Sequence, residues 1–130
     1  MKDLICKPIG YIQSPYKTKE STPLNGMQFP EQEAVLEIKE EYAAAIADME
    51  VGKSYEVLFW FDRVADVKLQ VPFRGTGPMT GIFSTHAPYR PNPIGATIVK
   101  VTKIEGHRIY FTGVDMTDGS PVLDIKPADA

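Results

Sequence analysis

The chain has few residues that form covalent or metal cross-links. Its 130 residues include one cysteine, Cys6, and two histidines, His86 and His107. A single cysteine cannot form an internal disulfide, so folding does not depend on an oxidising compartment. Two histidines and one cysteine also give no zinc constellation, and we expect no bound metal.

Long apolar runs are absent as well. The N-terminus, MKDLICKPIG, has an apolar run far too short for a signal peptide, and no stretch approaches the roughly 20 apolar residues of a membrane span. The apolar fraction is 43% and the charged fraction 24%, which are ordinary values for a soluble protein. We therefore expect one domain over residues 1–130, cytoplasmic and without a membrane partner.

Signatures of several common enzyme classes are missing from the sequence. It contains no P-loop, no GxGxxG motif after a strand and no GxSxG motif. Nucleotide hydrolysis, Rossmann-type dinucleotide binding and serine hydrolysis are therefore disfavoured.

The net charge of −3 is unevenly distributed along the chain. Residues 1–62 carry 6 Lys and Arg against 11 Asp and Glu, whereas residues 63–110 carry 7 against 2. One interpretation is chance, because folding redistributes side chains in space. The other is a basic face for an anionic partner on an acidic protein.

Eleven prolines and ten glycines divide the chain into short segments. Alternating stretches rich in aromatic and β-branched residues predict about seven strands. They are PIGYIQS, AVLEIK, SYEVLFWFDR, VKLQVPF, GIFST, the hairpin ATIVKVTKIEGHRIYFTGVD that turns around EGHR, and PVLDIKP. The alanine-rich EEYAAAIADME predicts the one helix, ending before Gly52. The pattern favours a mostly β fold, a small single-domain β-barrel of short strands with one short helix.

The stretch RPNPIG, residues 90–95, lies between two apolar runs. Each proline fixes its own φ and favours extended backbone at the residue before it, Arg90 or Asn92. One interpretation is a rigid loop that loses little entropy on ordering and holds both side chains ready for a ligand. The alternatives are a stiff surface turn and a polyproline segment for a partner domain.

A second polar segment, VDMTDGSPVLDIKP, follows the predicted hairpin. Asp115 and Asp118 lie three residues apart, before a turn at Gly119. Asp124 and Lys126 share one face of the strand that follows. The segment is either ordinary Asp-Gly turn chemistry or a carboxylate and backbone pocket for an amine, hydroxyls or a cation. It lacks the spaced acidic ligands of a calcium loop.

Four segments occur in the order and with the spacing of a known family: IGYIQSPYK, VLFWFDR, GIFSTHAPYRPNPIG and VDMTDGSPVLDIKP. On these residues essentially the whole chain resembles the TsaA-like (TrmO/YaeB) family. The resemblance implies a small β-barrel that works as a homodimer and as an S-adenosyl-L-methionine-dependent tRNA methyltransferase. Members of the family methylate N6 of threonylcarbamoyladenosine at tRNA position 37, beside the anticodon.

The resemblance also implies functional residues. RPNPIG matches the family's signature loop, and the expected catalytic residues are Arg90, Asn92 and Asp124, with Asp124 or His86 as general base. His86 stands where bacterial relatives have arginine in ATRS, and a neutral imidazole does not replace a bidentate guanidinium. The expected cofactor-binding residues are Gly26, Met27, Gln28, Asp62, Arg63, His86, Asp115, Met116, Thr117, Asp118 and Gly119.

The implied reaction explains why this chain needs neither a metal nor a covalent nucleophile. A sulfonium is already an activated leaving group, so the protein mainly positions donor and acceptor. Cations are expected to bind tRNA phosphates, and aromatic rings to stack on bases. The expected RNA-binding residues are Arg74, Tyr89, Lys100, Lys103 and Lys126, with Arg90, Arg108, Tyr16 and Phe73 as further candidates.

Three functions stay open at this point. The first is the dimeric tRNA methyltransferase. The second is a non-catalytic module that binds S-adenosyl-L-methionine or RNA, because the chain stops at DIKPADA whereas longer relatives continue into a C-terminal domain thought to assist tRNA binding. The third is an interaction domain whose proline loop docks a partner.

Overall fold

The computed structural model describes residues 2–18, 22, 31–64 and 66–129. Within these residues the strands are β1 (Gly10–Gln13), β2 (Glu33–Ile38), β3 (Ser54–Trp60), β4 (Gln70–Pro72), β5 (Met79–Gly81), β6 (Ile94–Glu105), β7 (Arg108–Thr112) and β8 (Pro121–Pro127). Six of them form a closed antiparallel ring in the order β1-β2-β7-β6-β3-β8, in which β8 pairs back onto β1. Strands β4 and β5 pair only with each other. The described chain is mostly β, as predicted.

The ring encloses the core because its strands alternate between buried and more exposed side chains. In β2, Ala34, Leu36 and Ile38 are buried and the residues between them are not. Phe111 of β7 is 0% exposed, and burying a side chain of this kind contributes about 1.5–3 kcal/mol. The buried side chains of the ring form one continuous hydrophobic cluster.

The predicted hairpin and the predicted last strand are both confirmed. Strands β6 and β7 pair with Glu105 opposite Arg108, and Gly106 makes the turn between them at a φ of 61°. This left-handed conformation is one that glycine adopts without steric cost. The segment PVLDIKP is β8, which closes the ring by pairing with both β1 and β3.

The predicted helix is present in a different form, and two predicted strands differ from the structure. The predicted helix is a 3-10 helix, Glu40–Ile46, in which only Ile46 is buried. GIFST is not a strand, because β5 ends at Gly81 and Ile82–Ser84 forms a 3-10 turn. VKLQVPF contributes only the three residues of β4. Within the part of the chain that the structure describes, none of the helices has the length and apolar character required to span a bilayer.

Residues 67–93 form a unit outside the ring, which we call the hairpin segment. Its two strands pair with Val71 opposite Thr80, and the Lys68 N–H donates to the Tyr89 carbonyl at 2.9 Å. Val71 is buried but does not belong to the main core cluster. The segment rejoins the ring at Pro93, whose carbonyl accepts the Phe61 N–H at 2.8 Å.

Candidate active site

The bend after β7, residues 115–119, is tied to the loop after β1 by hydrogen bonds in both directions. The Ser14 hydroxyl donates to the Met116 carbonyl at 2.8 Å, and the Ser14 N–H donates to the Asp118 carboxylate at 2.9 Å. In return, the Asp118 N–H donates to the Tyr16 carbonyl at 2.7 Å. Ser14 is buried, so these bonds replace the water that its polar atoms lose on folding. They fix the bend in one conformation.

Arg63, which follows β3, joins the same two loops. Its guanidinium donates to the Lys17 carbonyl at 2.9 Å and to the Asp118 carbonyl at 2.6 Å. A planar guanidinium bridges two acceptors in a fixed geometry, which the single ammonium of a lysine does not. Gly119, at a φ of 85°, lies against this side chain, since a Cβ there would be 3.4 Å from Arg63 Nη2. Three of the predicted cofactor-binding residues are therefore neighbours.

The Asp118 carboxylate is held in its charged form. The backbone N–H of Ser14 lowers the pKa of Asp118 most, burial opposes this effect, and Lys17, 3.2 Å away, lowers the pKa further. Each carboxylate oxygen has a partner, Ser14 for one and Lys17 for the other. Asp118 therefore stabilises the bend and is poorly suited to accept a proton.

Asp115 begins the bend and lies beside β6. The Thr97 hydroxyl donates to its carboxylate, at 2.8 Å from Oδ1 and 3.0 Å from Oδ2. Both residues are half-buried, and Thr97 is paired with Val57 across the β3–β6 ladder. The sheet thus fixes the hydroxyl that orients the Asp115 carboxylate.

These residues surround a cavity of about 180 Å³, which we call the Asp115 cavity. One wall is an aromatic pair, Phe59 and Phe61, whose ring centroids are 4.9 Å apart at an interplanar angle of 67°. The lining residues are Thr22, Phe59, Phe61, Asp62, Arg63, Ala96, Thr97, Asp115, Thr117 and Ser120. Four of the predicted cofactor-binding residues meet here: Asp62, Arg63, Asp115 and Thr117.

The Asp115 cavity offers three kinds of interaction. The Asp115 carboxylate stabilises positive charge, and the Arg63 guanidinium stabilises negative charge. The Phe59 and Phe61 rings pack against flat apolar groups. This combination suits a small ligand that carries both charges and a ring system.

The other predicted cofactor-binding residues contribute less or fall elsewhere. The Met116 side chain is fully buried in the main core, so only its backbone reaches the loops. His86 is exposed and, among the described residues, is not one that lines the cavity. Gly26, Met27 and Gln28 lie outside the described residues, and their contacts stay predictions. No group of three or more His, Cys, Asp and Glu residues within the described ranges is arranged to hold a metal ion.

Arg90 organises the backbone before the proline loop. Its Nη1 donates to the carbonyls of Ile82, Thr85 and Ala87, at 3.1, 2.8 and 3.3 Å. The guanidinium thereby holds residues 82–90 in a turn, which explains why GIFST does not continue as a strand. Asn92 is exposed, and its carbonyl accepts the Ile94 N–H at 2.7 Å.

The proline loop borders the Asp115 cavity. Pro93 bonds through its carbonyl to the backbone of Phe61, one of the two aromatic residues in the wall. Gly95 lies against the ring of the other, because a Cβ at Gly95 would be 2.6 Å from Phe59 Cε1. That distance excludes any larger residue unless the ring moves. RPNPIG therefore helps to position both aromatic residues.

Asp124 and Lys126 lie at a different cavity, of about 470 Å³, together with Tyr42, Met49 and Tyr55. The two charged residues form an ion pair at 2.9 Å, and this hydrogen bond to Asp124 raises the pKa of Lys126. Among the described residues, Asp124 is not part of the lining of the Asp115 cavity. Asp115 and Asp124 therefore line different cavities.

The predicted RNA-binding residues lie on three different parts of the fold. They are spread over the hairpin segment (Arg74 and Tyr89), β6 (Lys100 and Lys103) and β8 (Lys126). Lys103 and Lys126 are each paired with a nearby carboxylate, at 2.9 Å in both cases.

A family model described as the tRNA-methyltransferase O N-terminal domain matches residues 11–128. The chain belongs to this family. The match includes the Asp115 cavity, the proline loop and the bend, so the whole candidate site lies within the TrmO domain. The family resemblance seen in the sequence is thereby confirmed.

Relatives of this TrmO domain carry two kinds of names. An S-adenosyl-L-methionine-binding protein of Archaeoglobus fulgidus is 38% identical over 123 residues, covering 95% of this chain and 88% of that protein. The tRNA (adenine(37)-N6)-methyltransferase of Mus musculus is 38% identical over 133 residues, covering 96% of this chain and 31% of that protein. The chain thus spans most of the first relative and a minor part of the second.

A solved TrmO structure has the same fold. The crystal structure of TrmO from Pseudomonas aeruginosa superposes with a TM-score of 0.77 at 31% sequence identity. The superposition covers 99% of this chain and 59% of the Pseudomonas chain. The chain therefore spans less than two thirds of the solved TrmO chain.

The sequence interpretation missed the aromatic wall of the site. The FWF run at the end of β3 is typical of a strand that packs on a core, but Phe59 and Phe61 also line the Asp115 cavity. Thr97 and Ser120 were not predicted either, since each is an ordinary strand or turn residue in the sequence. A signal for the aromatic wall existed, because the two phenylalanines share a strand face just before Asp62.

Proposed function

We propose that the chain is the catalytic domain of an S-adenosyl-L-methionine-dependent tRNA methyltransferase. The proposed acceptor is N6 of adenosine at tRNA position 37, where the base carries a threonylcarbamoyl group. Support comes from family membership over residues 11–128 and from mouse, rat and human relatives named for this position and atom. With a tRNA substrate, the expected location is the cytoplasm.

The observation that carries the proposal is the composition of the Asp115 cavity. A carboxylate, a guanidinium and two aromatic rings line one space of about 180 Å³. The cofactor has a counterpart for each of them: a sulfonium, a carboxylate and an adenine ring. S-adenosyl-L-methionine supplies an activated methyl group when bound, and the residues present fit its charges and its ring.

We assign the roles by charge and shape. Asp115, oriented by Thr97, stabilises the sulfonium, and Arg63, fixed by two backbone carbonyls, attracts the carboxylate of the methionine tail. The aromatic pair packs against the adenine ring. The other proposed cofactor contacts are Gly26, Met27, Gln28, Asp62, His86, the Met116 backbone, Thr117, Asp118 and Gly119.

The proline loop and β8 are proposed to act on the acceptor base. Arg90 fixes the turn before the loop, and Asn92 is exposed where an incoming base would meet it. Asp124 is the proposed general base for the N6 proton. Because Asp124 lines the second cavity, it serves this reaction only if a second copy brings its β8 beside the Asp115 cavity.

A homodimer is therefore part of the proposal. The outward side chains of β6 include Ile94, Ala96 and Ile98, all exposed, and Ile98 is 61% exposed. Ala96 also lines the Asp115 cavity, so a second copy on this face would complete the site while burying apolar surface. We also infer that the closed ring is the small β-barrel expected from the sequence, because its buried side chains form one core.

The alternative is a non-catalytic domain that binds S-adenosyl-L-methionine. The observation that favours it is the Archaeoglobus relative, which is named only for binding and has 88% of its length covered by this chain. Both functions use the same cavity. They differ in whether a methyl group reaches RNA.

Transfer of a labelled methyl group to tRNA that carries threonylcarbamoyladenosine tests the proposal. We expect transfer by the wild type and a loss of about tenfold or more in rate for Asp115→Asn, which removes the charge but keeps an oxygen for Thr97. The matched control is Asp48→Asn, an exposed carboxylate at the second cavity. A wild type that binds cofactor and tRNA without transfer would contradict catalysis and leave the alternative.

A further inference from the structure

The hairpin segment is basic although the protein as a whole is acidic. Residues 67–93 contain Lys68, Arg74 and Arg90 and no Asp or Glu, whereas the whole chain has a net charge of −3. The same residues contain three of the chain's aromatic side chains, Phe73, Phe83 and Tyr89, although the unit lies outside the main core. Positive charge and aromatic rings are thus concentrated in one small unit.

Each of these cations lies over one of the rings. The Lys68 ammonium is 4.4 Å from the Tyr89 ring centroid, and the Arg74 guanidinium is 5.2 Å from that of Phe73. The Arg90 guanidinium is 5.8 Å from that of Phe83. All three distances are within the range of cation–π attraction.

Two of the rings are exposed to solvent. Phe83 is 77% exposed and Phe73 36% exposed, and Leu69 and Met79 of the same segment are exposed as well. Exposing a ring this large has no stability benefit for an isolated chain, because burial would gain about 1.5–3 kcal/mol. An exposed aromatic surface of this kind marks a binding site.

The tip of the hairpin segment presents Phe73 and Arg74 through a strained turn. Arg74 has a φ of 54° and is the only non-glycine residue with positive φ in the described ranges. This conformation costs roughly 1–2 kcal/mol for a residue with a side chain. The Gly77 N–H donates to the Phe73 carbonyl at 2.8 Å and fixes the turn. The strained turn directs Arg74 and the neighbouring Phe73 ring toward solvent.

We propose that the hairpin segment is a platform for unpaired nucleotides of an RNA. Phe83 and Phe73 stack on bases, and Arg74, Lys68 and Arg90 attract the phosphates between them. The platform adjoins the Asp115 cavity, because the segment ends at Pro93, which is bonded to Phe61 of the cavity wall. The inference rests on the proposed function, in which the acceptor base lies in the unpaired anticodon loop.

Charge favours RNA over a symmetric contact between the hairpin segments of two copies. A copy that docked its own hairpin segment here would bring three more cations against these three, with no carboxylate within either segment to pair with them. RNA brings a phosphate at every nucleotide and a base for each ring. Two of the other predicted RNA-binding cations are paired with carboxylates, Lys103 with Glu105 and Lys126 with Asp124.

Binding of a fluorescent RNA stem-loop with an unpaired loop, followed by anisotropy, tests the platform. We expect Phe83→Ala to weaken binding about fivefold or more through loss of stacking. Arg74→Ala is expected to weaken binding and to reduce the dependence of log affinity on log salt by about 0.7. The matched controls are Val51→Ala, an exposed apolar residue, and Lys53→Ala, an exposed cation, which both lie outside the segment and are expected to bind like the wild type.

The outcomes separate this inference from the proposed function. Unchanged cofactor affinity in the two platform variants shows that they are folded. Equal RNA affinity in all variants overturns the platform, even if methyl transfer persists. A change of molecular mass in light scattering, without a change in RNA affinity, also overturns it and identifies a contact between copies. Weakened RNA binding by the two platform variants, together with a wild type that transfers no methyl group, supports the platform and contradicts catalysis.

Discussion

Gly95 shows how one residue of the proline loop determines the shape of the candidate site. The Phe59 ring occupies the space where a side chain at Gly95 would lie. We expect Gly95→Ala to lower the free energy of unfolding by about 1–3 kcal/mol, because the ring must move within a packed core. Urea denaturation measures this change. Gly81→Ala is the control, since a Cβ there has no neighbour within 4 Å, and an equal effect of both substitutions would contradict the steric account.

Because of Asp118, the stability of the bend depends on pH. Its pKa is lowered chiefly by the Ser14 N–H, so the folded state binds a proton less readily than the unfolded chain. This contribution to stability is present above the ordinary pKa of 3.8 and is lost as the pH falls through the lowered value. We expect Asp118→Asn to be less stable than the wild type at neutral pH and to approach it in acid. Denaturation midpoints measured from neutral pH to about pH 2 check this, and a constant difference across that range would count against it.

At the scale of elements, the turn that replaces the predicted strand GIFST depends on Arg90. Its guanidinium donates hydrogen bonds to three carbonyls, which in a strand would accept hydrogen bonds from a neighbouring strand. We expect Arg90→Lys to speed hydrogen exchange at the Thr85 and Ala87 amides by about tenfold or more, because an ammonium cannot replace the fixed fork. Amide exchange followed by NMR measures this. Protection in β6 serves as the internal control, and unchanged exchange at Thr85 would show that the turn forms without the guanidinium.

The ring strands could be predicted because their own sequences contain the alternation that the core requires. β2 and β7 bury every second side chain, and β6 alternates over most of its length. The structure differs from the prediction where contacts between residues distant in sequence determine the backbone conformation. The segment after β5 turns because of Arg90, and the alanine-rich segment buries only Ile46, too little to support a longer helix.

Across the whole molecule, the candidate site joins parts of the chain that the sequence keeps far apart. The family motifs predicted Asp62, Arg63 and the 115–119 bend, and of these residues Asp62, Arg63, Asp115 and Thr117 line one cavity. The Thr97 contact required the β3–β6 register, which no local pattern contains. Asp124 also belongs to a family motif, yet it lines the second cavity. A sequence motif does not specify which cavity a strand residue will line.

Calorimetric titration of the protein with S-adenosyl-L-methionine is the most direct test of the Asp115 cavity as a cofactor site. We predict saturable binding by the wild type, binding weaker by about tenfold or more in Asp115→Asn, and wild-type affinity in Asp48→Asn. Absence of binding by the wild type, or equal affinity in the two variants, would contradict the central claim.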